Sequence, residues 1–556
     1  MKWAILTLIS IFLCVCCWQM LEWDSAGNLI AHSYSVWGDW SAHFAFISNL
    51  HERGLHWISG DNPLFLGMPF QYPFLSHLFT AVVSIVTRLD VAHSTFLVSI
   101  AFLFVLPFAL FYFFQSIHMS VRQSVLGILL FLFLGGLQAF DSSLSVSEPL
   151  TNQFQSGSIF TQIVLFELFP QRAFLFGMVL LLCGLGYTLQ KKDAGTLTRG
   201  KLICLALFFS LLAWTHLHSW VAMGALLLVY FLFTFIVYTK HVPEKKNASP
   251  QDWKPVLQFG LTIVMFSIPL IYFLIGRSNS NAANSVPKQA WELWYPGWAQ
   301  NAGSGQTAAQ AMNPIFFWIY NTGLFIPLAI AGKLLLWKRK TNILESPIFI
   351  LATTGSILFI VAELFNIQPY FYDNLKLFTY AFLFFTPMAV MALDALFQKK
   401  YLIPVALILL GVQTCTAAQD FLFFKNQKQT APFLSKEEFD LAEQFRGLRH
   451  SAESLVLIAP KHNHWITTLT GNPVLMGYPG WLWTWGIAFA TREAEVNEIL
   501  LGGPRATELL AKYPVEYVAL DDHDTANKQP VNINFFRAHY PVLMEHGSWH
   551  VFSIKK

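Results

Sequence analysis

The sequence predicts a polytopic α-helical membrane protein that ends in a soluble α/β domain, on three observations. Of its 556 residues, 55% are hydrophobic and only 12% are charged, against about 25% charged in a soluble protein. The charges cluster between long apolar runs, such as LTIVMFSIPLIYFLI after DWKPVLQFG, which is the pattern of helices that cross a bilayer. Beyond residue 418 the charge density rises and the apolar runs shrink to strand length, as in SLVLIAP, PVLMG and VEYVALDD. Helical patterns such as KEEFDLAEQFRGL and TREAEVNEILL alternate with those strands.

The N-terminal MKWAILTLISIFLCVCCWQM opens like a signal peptide but lacks a small-residue cleavage site and is long enough to span, so it reads as an uncleaved first helix. Apolar windows of roughly 17 to 23 residues place spans near 3–21, 73–88, 94–116, 124–140, 173–190, 201–216, 219–239, 255–276, 314–336, 346–364, 376–395 and 401–418. Lys and Arg mark the cytoplasmic loops at 191–201, at 240–254 with Lys245 and Lys246, at 337–340, and at Lys399 and Lys400. From residue 191 onward these loops alternate and leave the C-terminal region outside. With Lys2 inside, an even number of spans must precede residue 191. The apolar stretch SIFTQIVLFELF at 158–169 supplies the missing element as a short or partly re-entrant helix, bringing the total to about thirteen. The alternative leaves 141–172 outside and makes 94–140 one broken span.

Two regions lie outside the bilayer on the non-cytoplasmic side. Residues 22–72 form a first external loop in which HFAFISNLHERGLHWI has the pattern of an amphipathic helix lying on the membrane. Residues 419–556 form the α/β domain, after a transmembrane module over 1–418. A net charge of +3 without a basic stripe interleaved with stacking aromatics gives no footprint for nucleic acid. All six cysteines lie in apolar segments without metal-ligand spacing, which argues against a disulfide framework or a structural zinc site.

The chemistry-bearing residues gather at the outer side. In VWGDWSAHFAFISNL, Asp39 and His43 sit among aromatic residues just after the first apolar segment. By itself Asp39 also fits a loop carboxylate capping a helix that begins at Trp40. SGDNPLFLGMPFQYPFLSHLF adds Asp61, Asn62, Gln71, Tyr72 and His77 on a loop shaped by proline and glycine. ELFPQRAFLFG puts Arg172 at the mouth of a span, WTHLHSW puts His216 and His218 at the outer end of a hairpin, and QPYFYDNLKLFTY brings Asp373 and Lys376 to the outer start of another.

Ionisable groups at membrane depth line an interior cavity or meet a charged ligand, although Arg172 and Lys376 also fit side chains that snorkel to headgroups, and the two histidines fit packing residues. The His216–His218 pair has metal-ligand spacing but no third ligand nearby in sequence. WELWYPGW reads as an interfacial aromatic belt. KHNHW holds His462 and His464 without a neighbouring carboxylate. MGYPGWLWTWG offers aromatic faces for a sugar or for a packed tryptophan cluster.

An early Asp in the first external loop, amphipathic helices beside it, repeated hairpins and an external C-terminal domain together resemble the GT-C superfamily of membrane glycosyltransferases. That superfamily includes protein mannosyltransferases, oligosaccharyltransferase catalytic subunits and bacterial transferases that decorate lipid A. The sharpest part of the resemblance is GDWSAHFAFI followed by NPLFLGMPFQYPF. FPQRAF, FWIYNTGLF, DNLKLF and VLMGYPGWLW are similar to segments of bacterial members.

The resemblance implies transfer of a sugar from a polyprenyl-phosphate-linked donor to a lipid, glycan or protein acceptor at the outer leaflet, with inversion. It also implies a bacterial inner membrane with the C-terminal domain periplasmic. Asp39 matches the family's first-loop acid and is the candidate general base. His43, Asp61, Gln71, Tyr72, Arg172, His216, His218, Asp373 and Lys376 are candidate substrate-binding residues. Among these, Arg172 would grip phosphate in bidentate fashion and Lys376 would act as a point charge.

Family members often carry two neighbouring acids in this loop, whereas here Trp40 follows Asp39. That departure leaves open whether a divalent cation takes part, with Asp61, Asp141, Glu148 and Glu167 as second carboxylates to consider. Two other classes stay in view: a transporter or flippase of lipid-linked sugars, and a non-catalytic envelope assembly protein. Against the first stand the absence of an internal repeat and of matched Gly/Pro-broken spans. The second would leave Asp39 dispensable.

Overall fold

Apolar runs of span length become helices here, and their ends are set by identifiable chemistry. The computed structural model describes residues 2–55, 60–145, 147–153, 157–158, 162–189, 199–241, 260, 267, 314–338, 343–365, 371–426 and 430–554. In chain order the helices are α1 (Lys2–Trp18), α2 (Tyr34–Arg53), α3 (Leu75–Thr87), α4 (Val91–Ser116), α5 (Val121–Leu132), α6 (Arg172–Leu189), α7 (Arg199–Thr215), α8 (Leu217–His241), α9 (Pro314–Thr322) and α10 (Phe325–Lys338). They continue with α11 (Pro347–Leu364), α12 (Leu375–Phe397), α13 (Ile403–Asn426), α14 (Lys436–Leu448), α15 (Trp465–Leu469), α16 (Pro479–Thr484), α17 (Ala490–Leu500), α18 (Ala506–Lys512) and α19 (Ile533–His539).

Among the described residues six helices are long and apolar enough to cross a membrane: α4, α6, α8, α11, α12 and α13. The pair α9 and α10, bent by 101°, makes seven if it is one span. The thirteen expected counted, besides these, shorter apolar helices and a window almost wholly outside the described residues. Windows 3–21, 73–88, 124–140 and 201–216 give shorter apolar helices. The window at 255–276 lies almost wholly outside the described residues, as do WELWYPGW and the loops at 191–201 and 240–254. Among the described residues of the stretch put forward as a thirteenth element, Ile163–Leu168 form a six-residue π-helix, every residue of it buried. Six residues are too few to cross about 30 Å of hydrocarbon as a full span, which leaves the short or partly re-entrant form of that expectation.

The chain divides into two compact units. The first comprises Met1–Gln19, Ser99–Ile271 and Gln289–Lys428. Its axis is α12, buried along most of its length and packed against α5, α8, α10, α11 and α13. Close approach depends on glycine: a Cβ at Gly332 in α10 would lie 1.9 Å from the Met388 carbonyl oxygen. Small residues permit such backbone contact in membrane bundles. The α9–α10 bend occurs at Gly323, whose φ of 60° suits glycine.

The bend frees backbone groups, and inside a bilayer each unsatisfied group costs several kcal/mol. Gln413 of α13 meets them, accepting from Leu324 N at 2.8 Å and donating to Gly135 O at 2.8 Å and Thr322 O at 3.1 Å. Exposed Leu228, Leu232, Leu334, Ile360, Leu407 and Ile408 leave this unit with a greasy exterior, which lipid accepts and water does not.

The second unit comprises Met20–Val98, Tyr272–Lys288 and Gln429–Lys556, so the segment after α1 and the C-terminal segment fold together. The strands are β1 (Leu21–Trp23), β2 (Leu29–Ala31), β3 (Asp61–Asn62), β4 (Phe65–Pro69), β5 (Ala431–Leu434), β6 (Leu455–Ile458), β7 (Val515–Asp521), β8 (Thr525–Ala526), β9 (Gln529–Pro530), β10 (Val542–His546) and β11 (Trp549–Ser553). A four-stranded sheet runs β10-β11-β7-β6, with β6 parallel to β7 and the other pairs antiparallel. All four residues of β6 are buried, as the uninterrupted LVLI predicts for a strand covered on both faces.

Two ladders tie the segment after α1 to the C-terminal segment. β2 pairs with β5, and Val474 N and Gly477 N donate to Pro63 O and Leu64 O. Phe65 enters the core formed by Leu455, Leu457, Leu475, Val518 and Phe552. Ser435 and Glu438 form a capping box at α14. α2 does not lie as an amphipathic surface helix: every residue from Trp40 to Leu50 is buried.

Candidate active site

α2 carries the first cluster, in the second unit. Its N-cap is Ser33 and it begins at Tyr34. Asp39 therefore stands within the second turn of the helix rather than capping a helix that starts at Trp40. Its side chain belongs to a half-buried stretch, Trp37 to Asp39, next to the fully buried Trp40. Asp39 is thus carried on the body of a helix and is neither fully buried nor fully exposed.

One turn on, the Nδ1 atom of His43 lies 2.8 Å from Nε2 of His77 on α3, with both rings buried. One imidazole donates and the other accepts. Tyr72 packs against His77 and Phe46, and Trp485 against Tyr72 and Phe46. The structure thus joins Asp39, His43, Phe46, Tyr72 and His77 on and around one helix.

The C-terminal segment adds His462, which the sequence reading names without assigning it a role. The His462 ring stacks on Trp37 with centroids 3.9 Å apart and planes within 11°. Its Nε2 lies 3.1 Å from Gly38 O, and its Nδ1 lies 3.3 Å from Ser41 Oγ and 2.9 Å from Asn463 Oδ1. Burial holds this imidazole below its ordinary pKa, against the hydrogen bonds to Asn463 and Gly38, which favour the proton. Trp481 Nε1 donates to the same Gly38 carbonyl at 3.3 Å. His464 has a structural post instead: fully buried, it caps α15 by accepting from Ile466 N at 3.2 Å.

Asp61 is exposed, and its Oδ2 accepts from Gly67 N at 2.7 Å across the β3–β4 hairpin. Gln71 is half-buried on the loop that follows.

The second cluster lies in the first unit. Arg172 opens α6 with no solvent exposure at all, so it does not snorkel to headgroups. Its Nε donates to Ser99 Oγ at 2.7 Å, and its guanidinium lies over the Phe176 ring at 5.7 Å. Two residues on, Phe174 stacks on His216 at 4.7 Å and touches Tyr380. His216 Nδ1 is 2.8 Å from Ser219 Oγ, which in turn hydrogen-bonds the Tyr380 hydroxyl. Thr379, beside Tyr380 on α12, donates to buried Glu167 at 2.6 Å.

Lys376 pairs with Asp373 at 2.6 Å, and both act electrostatically on His218. His216, His218, Ser219, Asp373, Lys376 and Tyr380 thus come together where the start of α8 meets the start of α12, and Phe174, two residues from Arg172 on α6, packs on the His216 ring. Ser219 and Tyr380 left no sequence signal, since hydroxyl residues inside apolar helices are common. Among the described residues no group of three or more His, Cys, Asp or Glu side chains is arranged to hold a metal ion.

Comparison with solved structures identifies the class of fold. The oligosaccharyltransferase of Archaeoglobus fulgidus, tethered with an acceptor peptide, superposes with a TM-score of 0.53 at 12% identity over 94% of this chain and 69% of its own. A second structure from that organism, AglB with an inhibitory peptide and a dolichol-phosphate, gives 0.51 at 11% identity over the same shares. The arabinofuranosyltransferase AftD from Mycobacteria gives 0.55 at 10% identity over 99% of this chain, which spans 40% of that protein's length. No protein-family model and no curated protein sequence matches the chain. Both neighbours are GT-C superfamily membrane glycosyltransferases, and the chain has their fold, as its sequence leads one to expect.

Proposed function

We propose that this chain is an inverting membrane glycosyltransferase that moves a sugar from a polyprenyl-phosphate-linked donor to an acceptor at the outer leaflet, with Asp39 as general base. The observation that carries the reading is the GT-C fold extending over nearly the whole chain. The dolichol-phosphate bound by the archaeal neighbour supports a lipid-phosphate donor. We place the protein in a bacterial inner membrane with residues 419–556 in the periplasm.

In the proposed step the acceptor hydroxyl gives its proton to Asp39 while its oxygen attacks the anomeric carbon. The bond from that carbon to the phosphate oxygen breaks on the opposite face, and the polyprenyl phosphate leaves with its electron pair. Arg172 would hold that phosphate through parallel N–H donors, Lys376 would add a point charge held by Asp373, and His216 or His218 would donate a further hydrogen bond. His43, Asp61, Gln71 and Tyr72 are the proposed contacts on the acceptor side.

The test is glycolipid and envelope-glycan mass spectrometry on cells lacking the protein, complemented by wild type or by Asp39→Asn. A sugar increment that wild type restores and a normally inserted Asp39→Asn does not supports both transferase and base. Full restoration by Asp39→Asn refutes the assignment of the base and favours a flippase or an assembly protein.

A further inference from the structure

Two side chains, His462 and Trp481, and one backbone carbonyl, that of Pro432, converge from the C-terminal segment on the turn of α2 that bears Asp39. Gly38, the residue before it, offers one carbonyl to two outside donors, His462 Nε2 at 3.1 Å and Trp481 Nε1 at 3.3 Å. A carbonyl oxygen has two lone pairs, and a helical one rarely receives two further side-chain donors from a remote segment. On the preceding residue the Trp37 ring is covered face to face by His462, while its Nε1 donates to Pro432 O at 3.2 Å.

Two residues after Asp39, Ser41 Oγ meets the other nitrogen of His462 at 3.3 Å. Next to it, Asn463 donates to the carbonyls of Pro432 and Phe433. Trp481 and Tyr478 close over the same imidazole, with centroids at 4.9 and 5.1 Å. Positions 37, 38 and 41 are therefore gripped on both sides of the carboxylate at 39, by residues more than 390 positions away in sequence.

From this geometry we infer that His462 and Trp481 are positioning residues for Asp39, clamping the α2 backbone at Gly38. The inference rests on the reading of Asp39 as the base. The C-terminal segment thereby becomes part of the catalytic apparatus instead of an appended domain. Catalytic groups lose about 10²-fold in rate for misplacement of about 1 Å, so a two-donor clamp beside the base should act on kcat and leave KM alone.

The test uses the full-length protein, with membrane vesicles from the deletion strain as the source of donor and acceptor. In His462→Ala the turnover rate should fall about 10- to 100-fold, with the vesicle concentration for half-maximal rate unchanged within a factor of about two. His462→Gln, whose amide still donates, should recover most of the loss. Trp481→Phe keeps the ring and removes one donor, and it should give a smaller drop of the same kind. Amide hydrogen exchange, read independently of the reaction, should quicken about 10-fold over Trp37–His43 and stay unchanged in β6 and β7.

Unchanged exchange in α2 overturns the clamp. Quickened exchange with an unchanged rate, while Asp39→Asn is inactive, overturns the positioning role alone. An active Asp39→Asn removes the reading of the base and this inference with it. Should His462→Ala fail to fold, Trp481→Phe decides by the same two readouts.

Discussion

Replacing Gly38 by alanine should move stability and activity in opposite directions. Glycine inside a helix costs about 0.5–1 kcal/mol relative to alanine. Gly38 lies in the body of α2 and is not among the glycines with positive φ. A Cβ built there meets no heavy atom within 4 Å among the described residues other than its chain neighbours and its own helix backbone. The propensity gain should therefore be realised in full, about 1 kcal/mol, or about 2–4 °C for a folding unit of roughly 200 residues.

Glycine at a site where alanine fits and stabilises calls for a reason outside the apoprotein. The open space adjoins Asp39, where the proposed acceptor must bring its hydroxyl. A methyl group in that approach should slow transfer by about 10-fold or more if the acceptor passes against the helix backbone. The assay is thermal unfolding of the detergent-solubilised chain beside the initial transfer rate with deletion-strain vesicles. A stabilised variant with an unchanged rate refutes the claim that substrate uses this space, and a destabilised one refutes the packing described around Gly38.

Three further outcomes are expected. Gly332→Ala sets a Cβ 1.9 Å from the Met388 carbonyl oxygen, so α10 and α12 must part and stability should fall by about 1–3 kcal/mol; a thermal midpoint within 1 °C of wild type, about the precision of the scan, would contradict that contact. Arg172→Lys should lower the transfer rate more than Lys376→Arg does, because Lys loses the bidentate fork whereas the charge at 376 is already shared with Asp373; the reverse order in the vesicle assay would count against Arg172 as the phosphate residue.

Burial, helped by the Lys461 charge, holds His464 well below its ordinary 6.5. The unfolded chain thus binds a proton that the folded chain refuses, and stability is lost as pH falls below about 6.5. His464→Asn keeps an N-cap for α15. Between pH 6.5 and 5.5 wild type should lose about 1 kcal/mol more than this variant, measured as the difference in thermal midpoints, and parallel midpoints would exclude a neutral buried His464.

How much of this fold is legible in the sequence follows from how local each cause is. The windows at 94–116, 173–190, 219–239, 346–364, 376–395 and 401–418 coincide with helices long enough to span, because length and apolarity are properties of a single run. The π-helix at 163–168 escaped for the opposite reason. Its residues are apolar like those of a span, and only its surroundings decide that the run ends after six residues. The 101° break between α9 and α10 had one local sign, Gly323 in YNTGLF, but the residue that makes it tolerable, Gln413, comes from another helix about ninety positions on.

The site divides along the same line. Asp39, His43, Tyr72 and Arg172 stand out because polar groups beside or within greasy segments are costly and visible. His462 and Trp481, the residues that flank Asp39, come from a segment joined to that of Asp39 by pairings of remote stretches: β2 with β5, and residues 63–66 with 474–477. No periodicity records such pairings, so the first external loop and the C-terminal segment read as separate pieces although they form one unit.

His462 illustrates the point most sharply. In KHNHW it is one of two equivalent-looking histidines, both without a carboxylate nearby. In the fold one of them caps a five-residue helix and the other stacks on the tryptophan two residues before the candidate base. A residue whose role lies in holding another residue's backbone has no chemical signature of its own. It becomes recognisable only when the carbonyl it grips is known, which is why variants at 462 and 481 discriminate between readings that substitution of Asp39 alone leaves joined.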